Sequence, residues 1–283
     1  MNIQTAYLTL GQSQINLDIP NHDQDVIPGV KWGKVDSFPT IAYWLYCILA
    51  KRLEGKQIQY KLGRTLHEEV GACLLGGHGI PAAVGLAAYE QLKKKGAFDG
   101  TIHSEENLYT WLSEPISMPE KQVKYRFAKQ KASYLHHALK HLGSEEPPLD
   151  SGLILRDWLT EIKGIGLKTA SWVARNWLEA DDVAILDIHI YRAGLLGGFF
   201  KDEMTVERHY KSLEQIFVDV AEGMGVRTSE LDAVMWFEMQ QNPYIFDLLE
   251  HREQVQKGLI DKNSVIRMSP KKARTHAKQL SLI

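Results

Sequence analysis

Apolar and polar residues alternate in two short runs near the N-terminus. The apolar positions of these runs are Ala6, Leu8 and Leu10, followed by Ile15, Leu17 and Ile19. Because successive side chains of a strand point to opposite faces, strict alternation predicts two strands with one buried face. The intervening Gly11-Gln12-Ser13 supplies turn residues, so residues 1–35 are expected to form a small β segment that contains a hairpin.

From Phe38 onward the apolar residues recur at intervals of three and four, which is the period of an amphipathic helix. The helices expected outside the central segment are 40–53, 65–75, 82–95, 104–112, 119–129, 131–142, 205–224, 229–241 and 244–259. Thr65 followed by Glu68 has the spacing of a capping box. About ten helices joined by short loops predict a mainly α fold.

Residues 155–178 contain two further amphipathic helices, joined by Gly164-Ile165-Gly166. Their inward positions are Leu155, Trp158, Leu159 and Ile162 in the first helix, and Ala170, Val173, Ala174 and Trp177 in the second. Glycines permit a tight turn and a close approach of a ligand to the backbone. The amides that begin the second helix lack intrahelical partners and lie at the positive end of its dipole, so they can bind phosphate. The pattern predicts a helix-hairpin-helix that holds a DNA backbone through Gly164, Ile165 and Gly166 without reading sequence.

Two sequence runs resemble the helix-hairpin-helix (HhH-GPD) DNA glycosylases. GIGLKTASWVARN, which contains Lys168, and AILDIHIYR, which contains Asp187, are similar to the corresponding runs of endonuclease III. The 8-oxoguanine DNA glycosylases carry the same Lys and Asp at a similar separation. Taken singly, a Gly-x-Gly is usually a turn, a lysine in a first helical turn is usually solvated, and an aspartate before an apolar helix is usually an N-cap. Their occurrence together and in this order favours the enzymatic interpretation.

The resemblance also implies an architecture, in which two helical subdomains flank a DNA-binding cleft. Carried over to these 283 residues, one subdomain is 65–186, with the hairpin at about 155–178, and the other combines 36–64 with 187–283. Cys47 and Cys73 are the only cysteines, so the chain lacks the four-cysteine iron–sulfur cluster of many endonuclease III relatives. Neither a cofactor nor a metal site is expected.

In the resembled family, Lys168 and Asp187 would have different chemical roles. A base glycosylase extrudes a nucleotide from the duplex and breaks its C1′–N bond while positive charge builds on the sugar. A carboxylate near C1′ stabilises that charge, and an amine can attack C1′ and form a Schiff base. With Lys168 as the amine and Asp187 as the carboxylate, the resemblance predicts a bifunctional glycosylase and abasic-site lyase.

Trp172 and His78 are candidates for the walls of a base pocket. Trp172 follows Lys168 by one helical turn and is expected either to stack on the flipped base or to be a core residue. His78 lies in the glycine-rich break 76–79, where the family places a loop that fills the space left by the extruded base. The alternative for His78 is a helix break with an incidental histidine.

Four residues of the C-terminal part complete the candidate site. Trp236 and Gln240 share a later predicted helix and are weaker pocket candidates, because core packing explains the aromatic residue equally well. His189 and Arg192 follow Asp187 at helical offsets and are expected to support it through hydrogen bonds and charge.

The charge of the chain is unusual for a DNA-binding protein, because the formal net charge is −2 and the pI is about 6.6. Basic residues are nevertheless concentrated between 121 and 142, where no acidic residue occurs. They are Lys121, Lys124, Arg126, Lys129, Lys131 and Lys140. This run is either a solvated surface or a phosphate-binding face, to which Lys124 and Lys131 are assigned. A second basic group lies at 271–278.

The sequence therefore predicts a base-excision DNA glycosylase with lyase activity, acting on double-stranded DNA that carries a damaged base. The missing cluster disfavours the main endonuclease III branch, and the N-terminal hairpin favours 8-oxoguanine as the substrate. Trp172 departs from the small residues expected at its position, so a glycosylase for another modified base, including one in foreign DNA, is the alternative. A non-catalytic hairpin scaffold is a second alternative.

We expect an intracellular monomer, cytoplasmic or nucleoid-associated. The N-terminal residues lack the pattern of a signal peptide, and no apolar run is long enough to span a membrane.

Overall fold

The fold is mainly helical, as predicted. A computed structural model describes residues 3–55, 60–77, 79–261 and 263–264. The helices within these residues are α1 (Ile41–Leu53), α2 (Leu66–Leu75), α3 (Ala82–Lys94), α4 (Glu105–Ser113), α5 (Ala128–Ser144), α6 (Gly152–Leu159), α7 (Leu167–Leu178), α8 (Ile188–Gly197), α9 (Val206–Met224), α10 (Thr228–Gln241) and α11 (Ile245–Gln256). The strands are β1 (Ile3–Leu10), β2 (Ser13–Pro20), β3 (Asp25–Ile27), β4 (Val30–Lys31), β5 (Ile116–Ser117) and β6 (Gln122–Val123).

The contacts divide the chain into two units. One contains the described residues of Met1–Ile58 and Leu186–Lys278, and the other contains those of Gln59–Ile185. The arrangement of two subdomains about a DNA-binding cleft stays a prediction. No helix among the described residues is long and apolar enough to cross a membrane.

The first unit begins with the predicted hairpin. β1 and β2 pair antiparallel, and Leu8 lies opposite Ile15. The alternation has the expected consequence at Ala6 and Ile19, which are buried while the residues beside them in sequence are more exposed, whereas Leu10 beside the turn is 44% exposed. Both strands contact α1. A short second pair, β3 with β4, was not predicted from the sequence.

Helices α1, α8, α9, α10 and α11 make up the rest of the first unit. α1 begins after Thr40, whose hydroxyl accepts a hydrogen bond from the amide of Tyr43 at 3.1 Å. Such a cap satisfies one of the amides that a helix start leaves without a partner. α1 is joined to α10 by Arg52, whose guanidinium donates two hydrogen bonds to Glu230 at 2.8 and 2.6 Å.

The second unit is organised around α2, which is buried along most of its length. Glu69 of this helix is fully buried and is the acceptor of several hydrogen bonds. Its carboxylate accepts from the amides of Leu62 and Gly63, each at 2.7 Å, and from Asn176 Nδ2 at 2.7 Å. A buried carboxylate is tolerated when it is hydrogen-bonded in this way. Glu69 therefore ties both the chain entering the unit and the C-terminal part of α7 to α2.

The helix predicted over 119–129 is wrong. The chain there forms the short hairpin β5–β6, with mutual backbone hydrogen bonds between Met118 and Lys121 at 2.9 and 3.3 Å. Pro119 occupies the second position of that turn, where its fixed φ is favourable. Tyr125, which follows the hairpin, is buried, and its hydroxyl donates to the carbonyl of Leu75 at 2.7 Å. Helix α5 then starts at Ala128, earlier than the predicted start at 131.

Candidate nucleic-acid interface and active site

The turn between α6 and α7 contains two buried apolar residues and a glycine in the left-handed conformation. Ile162 and Ile165 are buried, and the amide of Ile165 donates to the carbonyl of Ile162 at 3.0 Å. Gly164 has φ +93°, a conformation that L side chains rarely adopt. Its Cα lies against the ring of Tyr134 on α5, so closely that a Cβ at this position would be 2.1 Å from Tyr134 Cγ. The predicted helix-hairpin-helix thus has a second support, from α5.

Gly166 begins α7 and leaves the helix start open. As the N-cap it has no side chain to accept from the first amides, and the first backbone bond of the helix runs from Ala170 N to Gly166 O at 3.0 Å. The amides of Leu167, Lys168 and Thr169 have no acceptor among the described residues. Apart from Gly166, its chain neighbours and the nearby backbone of α7, no atom of the residues that the structure describes lies within 4 Å of the position that a Cβ of Gly166 would occupy. Unpartnered amides, the helix dipole and free space are the features of an anion site.

Lys168 lies in the first turn of α7, half-buried, beside these amides. Trp172 lies one turn further along the same helix and is also half-buried. Its ring packs against the backbone of Gly76, where a Cβ would be 3.3 Å from the Trp172 ring atoms. The glycine-rich break and α7 therefore meet at Trp172. His78 lies outside the described residues, as does the basic group at 271–278.

The two lysines assigned to phosphate have different surroundings. Lys124 is exposed in the segment that precedes α5. Lys131 is partly buried, and its ammonium donates to the carbonyl oxygens of Leu74 at 2.6 Å and Gly76 at 3.3 Å. Burial lowers the pKa of Lys131. The sequence predicted a solvated contact of Lys131 with phosphate. In the structure its ammonium instead binds carbonyl oxygens at the C-terminus of α2.

In the first unit, Asp187 is the N-cap of α8. The buried run from Val183 to Leu186 leads into it, and its Oδ1 accepts from the amides of His189 at 2.8 Å and Ile190 at 3.0 Å. Oδ2 accepts no hydrogen bond from the described residues. The N-cap interpretation and the catalytic interpretation are compatible, because one carboxylate oxygen fixes the side chain and the other stays available.

The residues expected around Asp187 are distributed between two helices. The ring of His189 lies edge-on to Trp236 of α10, with 6.3 Å between centroids. Gln240, one turn further along α10, has a buried Oε1 without a hydrogen-bond partner among the described residues. Arg192 lies 4.6 Å from the ring centroid of Phe246, which is 66% exposed. The backbone amide of His189 therefore binds Asp187 while its ring lies against Trp236, and the guanidinium of Arg192 is stacked on Phe246 of α11.

Sequence reasoning missed Tyr134, Tyr125 and the carbonyl contacts of Lys131. Each of these contacts joins α5, or the segment before it, to a residue distant in the chain, and no local pattern marks such contacts. In the described part of the chain, no group of three or more His, Cys, Asp or Glu side chains could hold a metal ion.

The helical fold and an open hairpin terminus define the chain as a helix-hairpin-helix protein, and comparison with known proteins gives its family. The model of the 8-oxoguanine DNA glycosylase family matches residues 50–226, which include Lys168, Trp172 and Asp187. The chain belongs to this family. Trp236 and Gln240 lie outside the matched segment.

Individual relatives agree with the family. The 8-oxoguanine DNA glycosylase/AP lyase of Methanocaldococcus jannaschii is 34% identical over 130 residues, which are 44% of this chain and 62% of that protein. The protein of the same name from Saccharolobus islandicus is 34% identical over 143 residues, 47% of this chain and 68% of the relative. The crystal structure of the M. jannaschii 8-oxoguanine DNA glycosylase superposes with a TM-score of 0.53 and 21% identity, covering 70% of this chain and 94% of that one. This superposition supports the fold.

Proposed function

We propose that this chain is a bifunctional DNA glycosylase and abasic-site lyase that removes an oxidised purine, 8-oxoguanine first, from double-stranded DNA. The observation that carries the proposal is the position of Lys168 in the first turn of α7, next to the open amides that begin the helix. A phosphate held by those amides would bring the sugar–phosphate backbone to the lysine. The names of the relatives support the same activity.

Lys168 and Asp187 divide the reaction between them. The amine of Lys168, once deprotonated, attacks C1′, and the bond from C1′ to the base nitrogen breaks. The base leaves with the bonding electrons and takes up a proton. Ring opening gives a Schiff base between Lys168 and C1′, which makes the C2′ proton acidic, so that its loss expels the 3′ phosphate. Asp187, held by the start of α8 through Oδ1, stabilises the positive charge that builds on the sugar.

The base is proposed to be recognised by stacking and by an amide. Trp172 offers a partly exposed ring on the same helix as Lys168. On α10, Trp236 and Gln240 offer a ring and a buried carbonyl oxygen that has no partner among the described residues. His78 is kept as the residue predicted to fill the space of the extruded base. Trp172 in place of a small residue keeps the alternative of another modified base open, so the base itself must be tested.

Contact with the DNA backbone is proposed for Gly164, Ile165 and Gly166 through the hairpin, and for Lys124 through its charge. The ammonium of Lys131 is engaged by carbonyl oxygens, so the phosphate contact passes to Lys124. We further propose that the protein acts as an intracellular monomer.

Borohydride trapping tests the proposal. Wild-type protein should form a covalent adduct with 8-oxoguanine and abasic duplexes, and the same panel should include other modified bases. Lys168→Gln should abolish the adduct, because glutamine is polar and only one atom shorter but has no nucleophilic amine. Lys163→Gln is the matched control, since it removes an exposed amine on the other side of the hairpin turn. A full-strength adduct from Lys168→Gln would place the nucleophile elsewhere. Absence of any adduct or excision from the wild type would favour the non-catalytic scaffold.

A further inference from the structure

The C-terminus of α2 lacks the backbone cap with which many helices end. The last carbonyls of a helix have no intrahelical donors. They are often satisfied by a residue in the left-handed conformation that folds the backbone over them. At the end of α2 the cap residue Gly76 has φ −85° and ψ −167°, which is extended backbone. The chain therefore leaves the helix at once, and the carbonyls need donors from another part of the protein.

Those donors come from Tyr125 and Lys131. Tyr125 is 1% exposed, and its hydroxyl donates to the carbonyl of Leu75 at 2.7 Å. The ammonium of Lys131, in the first turn of α5, donates to Leu74 O at 2.6 Å and Gly76 O at 3.3 Å. Two side chains thus satisfy three consecutive carbonyls. The positive charge also lies at the negative end of the α2 dipole, which is a favourable placement.

Two glycines beyond this end of α2 each lie against an aromatic ring. A Cβ at Gly76 would lie 3.3 Å from the Trp172 ring, and one at Gly79 would lie 3.6 Å from Phe127. In the same segment, the amide of Ile80 donates to the carbonyl of Gly77 at 3.1 Å. The hydrogen bonds to the carbonyls of Leu74, Leu75 and Gly76 therefore fix the backbone immediately before this turn, where Gly76 packs on Trp172.

We infer that Lys131 and Tyr125 are positioning residues, which hold the start of the glycine-rich loop against Trp172 and so fix one wall of the base pocket. That Trp172 forms a wall of a base pocket rests on the proposed function. The positioning of the loop by Lys131 and Tyr125 rests on their hydrogen bonds alone. A buried ammonium requires compensation for its lost hydration, and the three carbonyls of α2 and its cap supply acceptors. In this role Lys131 acts on the loop and does not touch DNA.

Lys131→Met is the direct test, because methionine fills similar space without donating hydrogen bonds. Amide hydrogen exchange in peptides covering 74–80 should become faster by roughly 10- to 100-fold, since charged hydrogen bonds are the stronger class. Single-turnover excision of 8-oxoguanine should fall by about tenfold, as stacking on Trp172 is weakened. Nicking of a preformed abasic duplex should stay at the wild-type rate, because that step needs no stacked base. Lys94→Met, which removes an exposed lysine of α3, should change none of these readouts.

Two further variants keep the test decisive if Lys131→Met fails to fold. Tyr125→Phe removes a single hydrogen bond and should accelerate exchange in the same peptides by a smaller factor. Lys131→Arg keeps a cation with several donors and should restore slow exchange and excision. Unchanged exchange in Lys131→Met or Tyr125→Phe would overturn the positioning role. Equal loss of excision and abasic nicking would also overturn it, in favour of a DNA contact. Failure of the proposed function would show instead as a wild-type protein inactive on both substrates, and the exchange measurement would still decide the positioning.

Discussion

Replacing either glycine of the hairpin turn by alanine is predicted to impair the protein, but through different properties. Gly164 faces the protein, with φ +93° and the ring of Tyr134 against it. Gly166 faces open space, with φ −93° and ψ 172°, which any residue can adopt. Gly164→Ala should therefore damage the fold, and Gly166→Ala should damage only the binding of DNA.

The expected loss in the free energy of unfolding for Gly164→Ala follows from backbone strain and from crowding against Tyr134. A new Cβ would lie 2.1, 2.4 and 2.5 Å from three ring carbons of Tyr134, well inside van der Waals contact. Relief by movement of a packed ring costs about 1–3 kcal/mol. The left-handed backbone adds about 1–2 kcal/mol for a residue with a Cβ. We expect a loss of about 2–5 kcal/mol in the free energy of unfolding of this unit.

Gly166→Ala should leave stability unchanged or slightly raised. The alanine restricts the unfolded chain, which stabilises a compatible site by about 0.4–1 kcal/mol. Its methyl group, however, would occupy the space in front of the open amides of α7. Loss of a charge-assisted hydrogen bond to a phosphate costs about 1.5–3 kcal/mol, or roughly 10- to 150-fold in affinity. The loss should be equal for all duplex sequences, because a backbone contact carries no base information.

The assay pairs urea unfolding with binding to abasic and undamaged duplexes. The order of the two variants should reverse between the experiments, with Gly164→Ala the less stable and Gly166→Ala the weaker binder per folded molecule. If Gly166→Ala binds abasic duplex as tightly as the wild type, the open amides of α7 do not hold phosphate. If Gly164→Ala unfolds at the same urea concentration as the wild type, the support from Tyr134 is not needed.

Three further predictions concern single side chains. Asp187→Asn should slow excision about 100- to 1000-fold while leaving the melting temperature unchanged, because asparagine still caps α8; equal rates would remove Asp187 from the chemistry. Trp172→Ala should reduce excision of the damaged base by roughly 5- to 150-fold, the equivalent of one lost stacking contact, and spare nicking of abasic duplex; an equal loss on both substrates would indicate a core role. Lys124→Glu should reduce the slope of log affinity against log salt by about 1, whereas Lys94→Glu should not change it; an unchanged slope for Lys124→Glu would place it off the DNA.

Local patterns were enough to predict most of the elements. The hairpin β1–β2 follows from strict alternation, and α1, α2 and α4 begin at residues whose side chains cap them, Thr40, Thr65 and Ser104. In each case the signal and the contact lie within a few residues of each other. The error at 119–129 has the opposite origin. Pro119 is compatible with either a helix start or a turn, and the contacts that accompany the turn, such as that of Tyr125 with Leu75, are to residues distant in the sequence.

Local sequence was likewise not enough to predict the surroundings of the lysines in the candidate site. Lys124 and Lys131 belong to one acid-free run, and charge alone cannot tell them apart. The structure distinguishes them by a contact across more than fifty residues, from Lys131 to Leu74. Tyr134 is a similar case. The sequence indicates that Gly164 has an unusual conformation, but only the fold determines which ring lies against it.

The proposed chemistry depends on the N-termini of two helices, which differ in whether the N-cap side chain accepts hydrogen bonds from the first amides. α7 starts at Gly166, which has no side chain to accept from its amides, so these donors stay available to an external anion. α8 starts at Asp187, whose Oδ1 takes two of the first amides and thereby fixes the carboxylate. Both arrangements use the same property, the unpartnered amides and positive end of a helix dipole. The residue at the N-cap decides whether that property binds a phosphate from the substrate or orients an acid of the protein. In the proposed mechanism, a glycine and an aspartate, both common capping residues, therefore have different functions on the same backbone geometry.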